Sequence, residues 1–314
     1  MKVHILILNY DGAELLERYL PSFLVAVGRS SHSCRLSVID NASSDASRDV
    51  VGRFGKKVEW IPLSENRVLC AYNEVARDLD DEVLIFMNND IEVDPGFIDS
   101  LVRPFPKEKD VFFVTPRCLS KDGKTYEGNK TRGAVRYGVY WSTALYPGYE
   151  KDIEKPGLTL QGGFGAFDRK KFLALGGYDD LYLPGRLEDA DLCFRAYKRG
   201  WVCLYEPSSV VYHAGGVSFH KRFGPKKTLA INWRNTFLFM LKNLAGPATF
   251  FQFIFWLPAH FIYSLLTARM EFIQGFWAAI PLFTSALERR RKLKREGYFG
   301  RISDRLIFKK SCSG

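Results

Sequence analysis

KVHILILNYDG, residues 2–12, decides how the chain is read. Lys2–Leu8 is a short apolar run rich in β-branched residues, and Asn9-Tyr10-Asp11-Gly12 ends it. A run this short, bounded by turn formers, reads as a strand buried on both faces. A helical stretch, Ala13–Val27, follows. The pattern then recurs in LSVID (36–40), VEWIP (58–62) and EVLIFM (82–87), with a helix around Leu69–Leu79 before the last of these. Asn41-Ala42-Ser43-Ser44-Asp45 reads as a turn leading into a helix N-cap. Strands alternating with helices predict an α/β domain with a mostly parallel, doubly wound sheet.

In such sheets ligands bind at the carboxyl ends of the strands. Here those ends carry Asn9 and Asp11, Asp40 and Asn41, and Asn88 and Asp90. A single Asp at a strand end is usually a turn former. Three polar ends on one rim predict an acidic cleft. Asp90, flanked by amides, is a hard oxygen ligand suited to Mg²⁺ or Mn²⁺, and His213 would add a nitrogen that favours Mn²⁺. A metal there neutralises a diphosphate leaving group. Asp40 is placed to accept a hydrogen bond from a nucleobase. Asp189, at the start of the helix that opens at Leu187 and runs to about Arg199, is placed to take a proton from a hydroxyl. The helix N-terminus is expected to keep its carboxylate ionised. In that helix Ala190, Phe194 and Tyr197 form the buried stripe, and Asp191 and Arg195 read as an ion pair one turn apart.

The 314 residues are 46% hydrophobic and 25% charged, which excludes a disordered or fibrous chain. Of the net charge of +10, most lies in residues 288–314, with ten Lys/Arg against three Asp/Glu. A nearly neutral body with a basic tail argues against a nucleic-acid partner and for a localised anionic one. The six cysteines form no C-x-x-C pair, as expected of reduced thiols in a cytosolic protein. No secretory leader is read, because Asn9-Tyr10-Asp11 ends the apolar run too soon. Ser120–Lys155 is loop-like and aromatic. It suits either sugar stacking, with Trp141 a candidate, or a second small sheet burying its rings.

The last third changes character. From Leu244 to Leu287 the only charged residues are Arg269 and Glu271. Phe250–Ala268 and Phe272–Leu287 each approach the length of a membrane span, and each carries a proline. Arg289-Arg290-Arg291-Lys292-Leu293-Lys294-Arg295 follows at once and suits an anionic membrane surface. Interfacial helices are favoured over a full span.

Taken together, these segments resemble the family 2 glycosyltransferases of GT-A fold, in the rhamnosyltransferase-like branch, over about residues 1–243. ILNYDG resembles that family's first strand and nucleotide loop, VIDNASSD its base-recognition motif, and Glu65-Asn66 through Asn73 a helix start near the donor. FMNNDIEV resembles its metal motif, GGFGAFDRKKFLALGGYD an acceptor-side segment, LEDADLCFRAYKRGW its catalytic helix and VYHAGG its late metal histidine. Arg234-Asn235 and Lys242-Asn243 resemble the segment before a membrane-associated tail. The resemblance implies a Rossmann-like GT-A domain over 1–225, with a nucleotide-binding half (1–115) and an acceptor-binding half (116–225). A helical membrane-associating region would follow over 226–314.

It further implies Asp189 as catalytic base with Glu188 beside it, and Asp90 and His213 as ligands of Mn²⁺ or Mg²⁺. Asn9, Asp11, Asp40, Asn41, Asn66, Asn73 and Asn89 would bind the nucleotide, and Gly162, Gly163 and Trp141 the sugars. The implied reaction is inverting transfer from a nucleotide sugar to a glycan or polyprenyl-linked acceptor at the cytoplasmic face of a bacterial plasma membrane, in surface polysaccharide or lipopolysaccharide synthesis. The chain departs from the family pattern in Asn88, which replaces the first carboxylate of D-x-D, and in Val68, Tyr72 and Ala76, which replace glycines near the donor sugar. These departures support the alternative of a non-catalytic nucleotide-sugar-binding protein. A nicotinamide-dependent enzyme would need G-x-G-x-x-G after the first strand, which is missing. A processive synthase would need a longer apolar tail.

Overall fold

The computed structural model describes residues 1–213 and 223–312. Ala214-Gly215-Gly216 of the VYHAGG motif lies outside them, as does the side chain of Cys312. The strands are β1 (Lys2–Asn9), β2 (Ser33–Asp40), β3 (Glu59–Pro62), β4 (Val83–Asn88), β5 (Ile91–Val93) and β6 (Val111–Ser120). They continue with β7 (Tyr126–Gly128), β8 (Arg132–Arg136), β9 (Val139–Thr143), β10 (Gly157–Leu158), β11 (Gly165–Asp168) and β12 (Val202–His213). The helices are α1 (Ala13–Arg29), α2 (Ser47–Gly52), α3 (Ala71–Asp78), α4 (Phe97–Val102), α5 (Tyr149–Asp152), α6 (Arg169–Ala174) and α7 (Glu188–Lys198). Then come α8 (Pro225–Asn243), α9 (Pro247–Leu266), α10 (Glu271–Ala279), α11 (Phe283–Arg295), α12 (Tyr298–Arg301) and α13 (Asp304–Cys312).

The main sheet runs β10-β12-β6-β11-β4-β1-β2-β3. β3, β2, β1 and β4 are mutually parallel, as the apolar runs predict. β11 is inserted antiparallel between β4 and β6, so the sheet is mixed rather than doubly wound throughout. Side chains alternate between its two faces. Val3, Ile5 and Ile7, with Val83, Ile85 and Met87, pack against α1 and α4. Leu6, Leu84 and Phe86 pack toward α3, α6 and α7, in a core that continues into Phe237, Leu238 and Phe239 of α8. The helical C-terminal region therefore shares this core.

Between β7 and α5 the chain forms a separate hairpin, β8–β9. The rings of this aromatic segment divide: Tyr126, Tyr140 and Tyr146 are buried, while Tyr137 and Trp141 are exposed. At its turn Gly138 has φ +75°, and a Cβ there would stand 2.6 Å from the Gln252 carbonyl oxygen and 2.7 Å from the Phe253 Cα. The turn thus rests directly on the backbone of α9. Pro281 divides the second apolar stretch into α10 and α11. α9 remains continuous through Pro258.

Candidate active site

Register brings the rim together. Asn9 pairs with Asp40, and Leu8 with Asn88, so the polar ends of β1, β2 and β4 are level. β5 turns back and pairs antiparallel with the end of β12, opposing Ile91 to His213. This places His213 Nε2 3.3 Å from Asp90 Oδ2, although 123 residues separate the two. The loop before α7 approaches from the other side. The cleft between them is about 1190 Å³ and includes Asp90, His213, Glu188 and Asp189 in its lining.

Ten of the residues expected to act together line this cleft: Asn9, Asn41, Asn66, Asn89, Asp90, Trp141, Gly163, Glu188, Asp189 and His213. Four do not, and each has a structural task. The Asp40 carboxylate accepts hydrogen bonds from the Ser43 amide (3.1 Å), the Ser43 hydroxyl and Asn9 Nδ2 (3.3 Å), and it sits beneath the rim. Asp11 accepts from the Ser44 amide at 2.7 Å and ties two loops together. Asn73 exchanges two hydrogen bonds with the backbone of Tyr178, both 2.8 Å. Gly162 packs on β6, where a Cβ would stand 2.8 Å from Thr115 Oγ1. Asn9, though at the cleft, is 1% exposed, and its amide is held by Ser47 (2.9 Å) and Asn89 (2.7 Å).

The glycine replacements also separate. Tyr72 and Ala76 are buried in the core; Tyr72 stacks on Phe86 at 4.0 Å and donates to the Met87 carbonyl. Only Val68 faces the cleft. It adopts φ +50°, a strained conformation for a β-branched residue. Asn66 Oδ1 accepts from its amide (2.9 Å) and Asn41 Nδ2 donates to its carbonyl (3.2 Å), and these bonds brace the turn.

Glu188 and Asp189 open α7 after two residues with positive φ, Arg186 (+79°) and Leu187 (+70°). Asn235 of α8 holds this strained loop: its Nδ2 faces the carbonyls of Tyr182, Gly185 and Arg186 at 2.7–2.8 Å. Arg234 donates to the Leu183 carbonyl. Behind them, Asp191 is fully buried. It accepts from Arg195 Nε (2.7 Å), Lys242 Nζ (2.7 Å), Asn243 Nδ2 (2.7 Å) and the Tyr182 hydroxyl (2.8 Å). The expected Asp191–Arg195 pair thus exists, but inside the protein. The RN and KN dipeptides fasten α7 and its entry loop to α8.

Burial raises the Asp189 carboxyl above its ordinary value, working against the helix terminus that was expected to keep it ionised. Its Oδ1 accepts the Ala190 amide at 2.8 Å, which favours the charged form. Glu188 is pushed up to about 8 by burial first and the neighbouring Asp189 charge second. Its buried Oε2 has no partner among the described residues. Burial therefore pushes both carboxyls up, and Glu188 far enough to favour its protonated form at neutral pH.

On the opposite wall, buried Asp90 Oδ1 has no hydrogen-bond partner among the described residues. An orphaned carboxylate oxygen beside an imidazole nitrogen is a donor set that fits a divalent cation. Burial alone would lower the pKa of His213, but hydrogen bonding and charge from Asp90 and Glu127 outweigh it and raise the value. Cys118 Sγ lies in the same group as Glu127 and His213, but burial drives its pKa far up and keeps it a thiol. Glu127 escaped sequence reasoning, as did the cleft residues Gln161, Leu229 and Trp233. No spacing rule connects them to the motifs.

The family model for glycosyl transferase family 2 matches residues 4–176. The chain belongs to this family. It is accordingly a glycosyltransferase. It is 26% identical over 262 residues to an N-acetylglucosaminyl-diphospho-decaprenol L-rhamnosyltransferase of Mycobacterium tuberculosis, covering 76% of this chain and 83% of the relative. It is 27% identical over 173 residues to a putative polypeptide N-acetylgalactosaminyltransferase 10 of Drosophila melanogaster, covering 53% of this chain but only 27% of that protein. Among solved structures, GalNAc-T7 with UDP, GalNAc and Mn²⁺ superposes with a TM-score of 0.56 at 19% identity, over 77% of this chain and 48% of the other. The mannosyltransferase PcManGT from Pyrobaculum calidifontis, in complex with GDP-Man and Mn²⁺, gives 0.52 at 14% identity, over 99% and 84%. These likenesses establish the GT-A fold.

Proposed function

We propose that this glycosyltransferase inverts the anomeric centre as it moves a sugar from a nucleoside-diphosphate sugar to a hydroxyl of a lipid-linked glycan in bacterial surface-polysaccharide synthesis. The observation that carries this reading is the convergence of Asp90, His213 and Asp189 on one cleft. Asp90 Oδ1 and His213 Nε2 would hold Mn²⁺ or Mg²⁺. Such an ion, when bound, neutralises charge on a leaving diphosphate. Tyr10, Asn41 and Asn66 line the end of the cleft nearest the β1 and β2 rim, where a nucleoside would rest. Asp189 would take the acceptor proton while the oxygen attacks the anomeric carbon from the face opposite the diphosphate. Glu188, carrying its own proton, adds no second negative charge beside that base. The M. tuberculosis relative's name supports a polyprenyl-diphosphate acceptor and a rhamnosyl donor.

The C-terminal helices support a membrane location. α9 meets the length and hydropathy of a span, yet 6% of that window is buried. Phe253, Leu257 and Phe261 pack on the core, Trp256 meets Tyr137 edge-on at 5.1 Å, and His260 Nε2 lies 2.8 Å from the Tyr137 carbonyl. On its other side Phe251 (69%), Phe255 (75%) and Leu266 (82%) are exposed. A helix bound to a soluble domain along one side and bare along the other suits a position in the membrane plane, not across it. Of the basic run, Arg289 is engaged by Asp179 and Asp180, and Arg290 by the carbonyls that end α8. Arg291, Lys292, Lys294 and Arg295 remain exposed for an anionic, cytoplasmic leaflet.

A thermal-shift panel of nucleotide sugars, with and without Mn²⁺, tests the donor site. One donor should raise the melting temperature, and more so with Mn²⁺. With that donor, Asp189→Asn should keep binding and lose about 10²-fold or more in transfer. A wild-type protein that releases no nucleoside diphosphate from any bound donor is instead a binding module.

A further inference from the structure

His213 ends β12, and Glu127 sits in β7; both strands pair with β6, from opposite sides. On β6 the register steps from Cys118↔Gly128 to Leu119↔Tyr126, which leaves Glu127 as the extra residue of a bulge. A bulge re-aims a side chain, and here the carboxylate reaches across the end of β6 to His213. Glu127 Oε2 lies 2.7 Å from Nδ1, while Nε2 lies on the Asp90 side at 3.3 Å. Neutral imidazole has one N–H and one lone pair. With the N–H committed to Glu127 at Nδ1, the lone pair is at Nε2, beside the buried Asp90 Oδ1, which has no partner among the described residues.

We propose that Glu127 is a positioning residue that fixes the ring and tautomer of His213 so that Nε2 faces a divalent cation. The proposal rests on the reading that Asp90 and His213 hold that cation. A ligating histidine whose other nitrogen loses its carboxylate partner typically loses about 10–100-fold in metal affinity.

The probe is Mn²⁺ alone, with free ion followed by electron paramagnetic resonance. Glu127→Ala should weaken binding by about 10–100-fold. Glu127→Gln keeps an acceptor oxygen and should stay within a few-fold of wild type. In ¹⁵N spectra of the Mg²⁺-bound protein, the Nδ1–H of His213 should persist in the wild type and Glu127→Gln and be lost in Glu127→Ala. Wild-type affinity in Glu127→Ala overturns the proposal. So does an equal, large loss in both variants, which makes Glu127 a direct ligand. Unchanged affinity in Asp90→Asn is a different failure: it removes the metal site itself.

Discussion

Lys242→Met tests the buried network that seats the catalytic helix. Lys242 is 2% exposed and donates to Asp179 Oδ2 at 2.6 Å and Asp191 Oδ1 at 2.7 Å. Methionine nearly matches its volume, so the cavity contribution is small, and the loss is that of one partner from a buried ion cluster. Such losses cost about 3–5 kcal/mol. At roughly 2–4 °C per kcal/mol for a protein above 150 residues, the melting temperature should fall by about 10 °C. Acid titration supplies a second readout. Burial would raise Asp191, but Lys242 and Arg195 hold its carboxyl well below the usual range, and Asp179 is likewise lowered, chiefly by Lys242. A depressed carboxylate contributes stability that is complete above its unfolded pKa and lost as pH falls through the folded one. The gap between wild type and variant should therefore be constant from pH 6 to 8 and narrow below about pH 4. Urea denaturation at pH 7 and thermal melts down to pH 3.5 measure both. A destabilisation under about 1 kcal/mol, or a gap that widens in acid, would refute the reasoning.

Glu188→Gln should remove a pH dependence. The folded carboxyl titrates at about 8 against an ordinary 4.5, so wild-type stability falls as pH rises from 4.5 to 8. The variant's advantage in melting temperature should grow across that window, and equal slopes at pH 5 and pH 8 would contradict the assignment. Phe255→Glu with Leu266→Glu should lower binding to anionic liposomes by about 10²-fold or more, since each buried large apolar side chain is worth about 1.5–3 kcal/mol. The melting temperature should hold, because both side chains are exposed. Equal flotation of variant and wild type would leave the α9 face without a membrane role.

Apolar runs made β1 and β4 legible, because strands buried on both faces carry almost no other residue type, whereas β3 is an edge strand with no buried residue. β11 was not legible: four residues, Gly165–Asp168, in a glycine-rich stretch carry no direction, and only pairing with β4 and β6 shows that it runs backwards. The rim was legible as a polar surface, but not how its residues are spent. Nothing in the sequence around Asp40 and Asn73 announces that Asp40 also accepts from the Ser43 amide or that Asn73 bonds the Tyr178 backbone; packing alone reveals those contacts. Arg234-Asn235 and Lys242-Asn243 were visible as a motif. Their partners lie about 50 residues back in the chain, so their role in bracing α7 emerges only with packing. Glu127 depends on a one-residue bulge, which leaves no trace in composition or period.

The convergence of Asp90, His213 and Asp189 is tested most directly by crystals grown with Mn²⁺ and the donor selected by thermal shift, with diffraction collected at the manganese edge. The expected anomalous peak lies between Asp90 and His213, with the diphosphate against it and the anomeric carbon on the Asp189 side. A manganese peak elsewhere, or a nucleotide seated away from the ends of β1 and β4, would contradict the account.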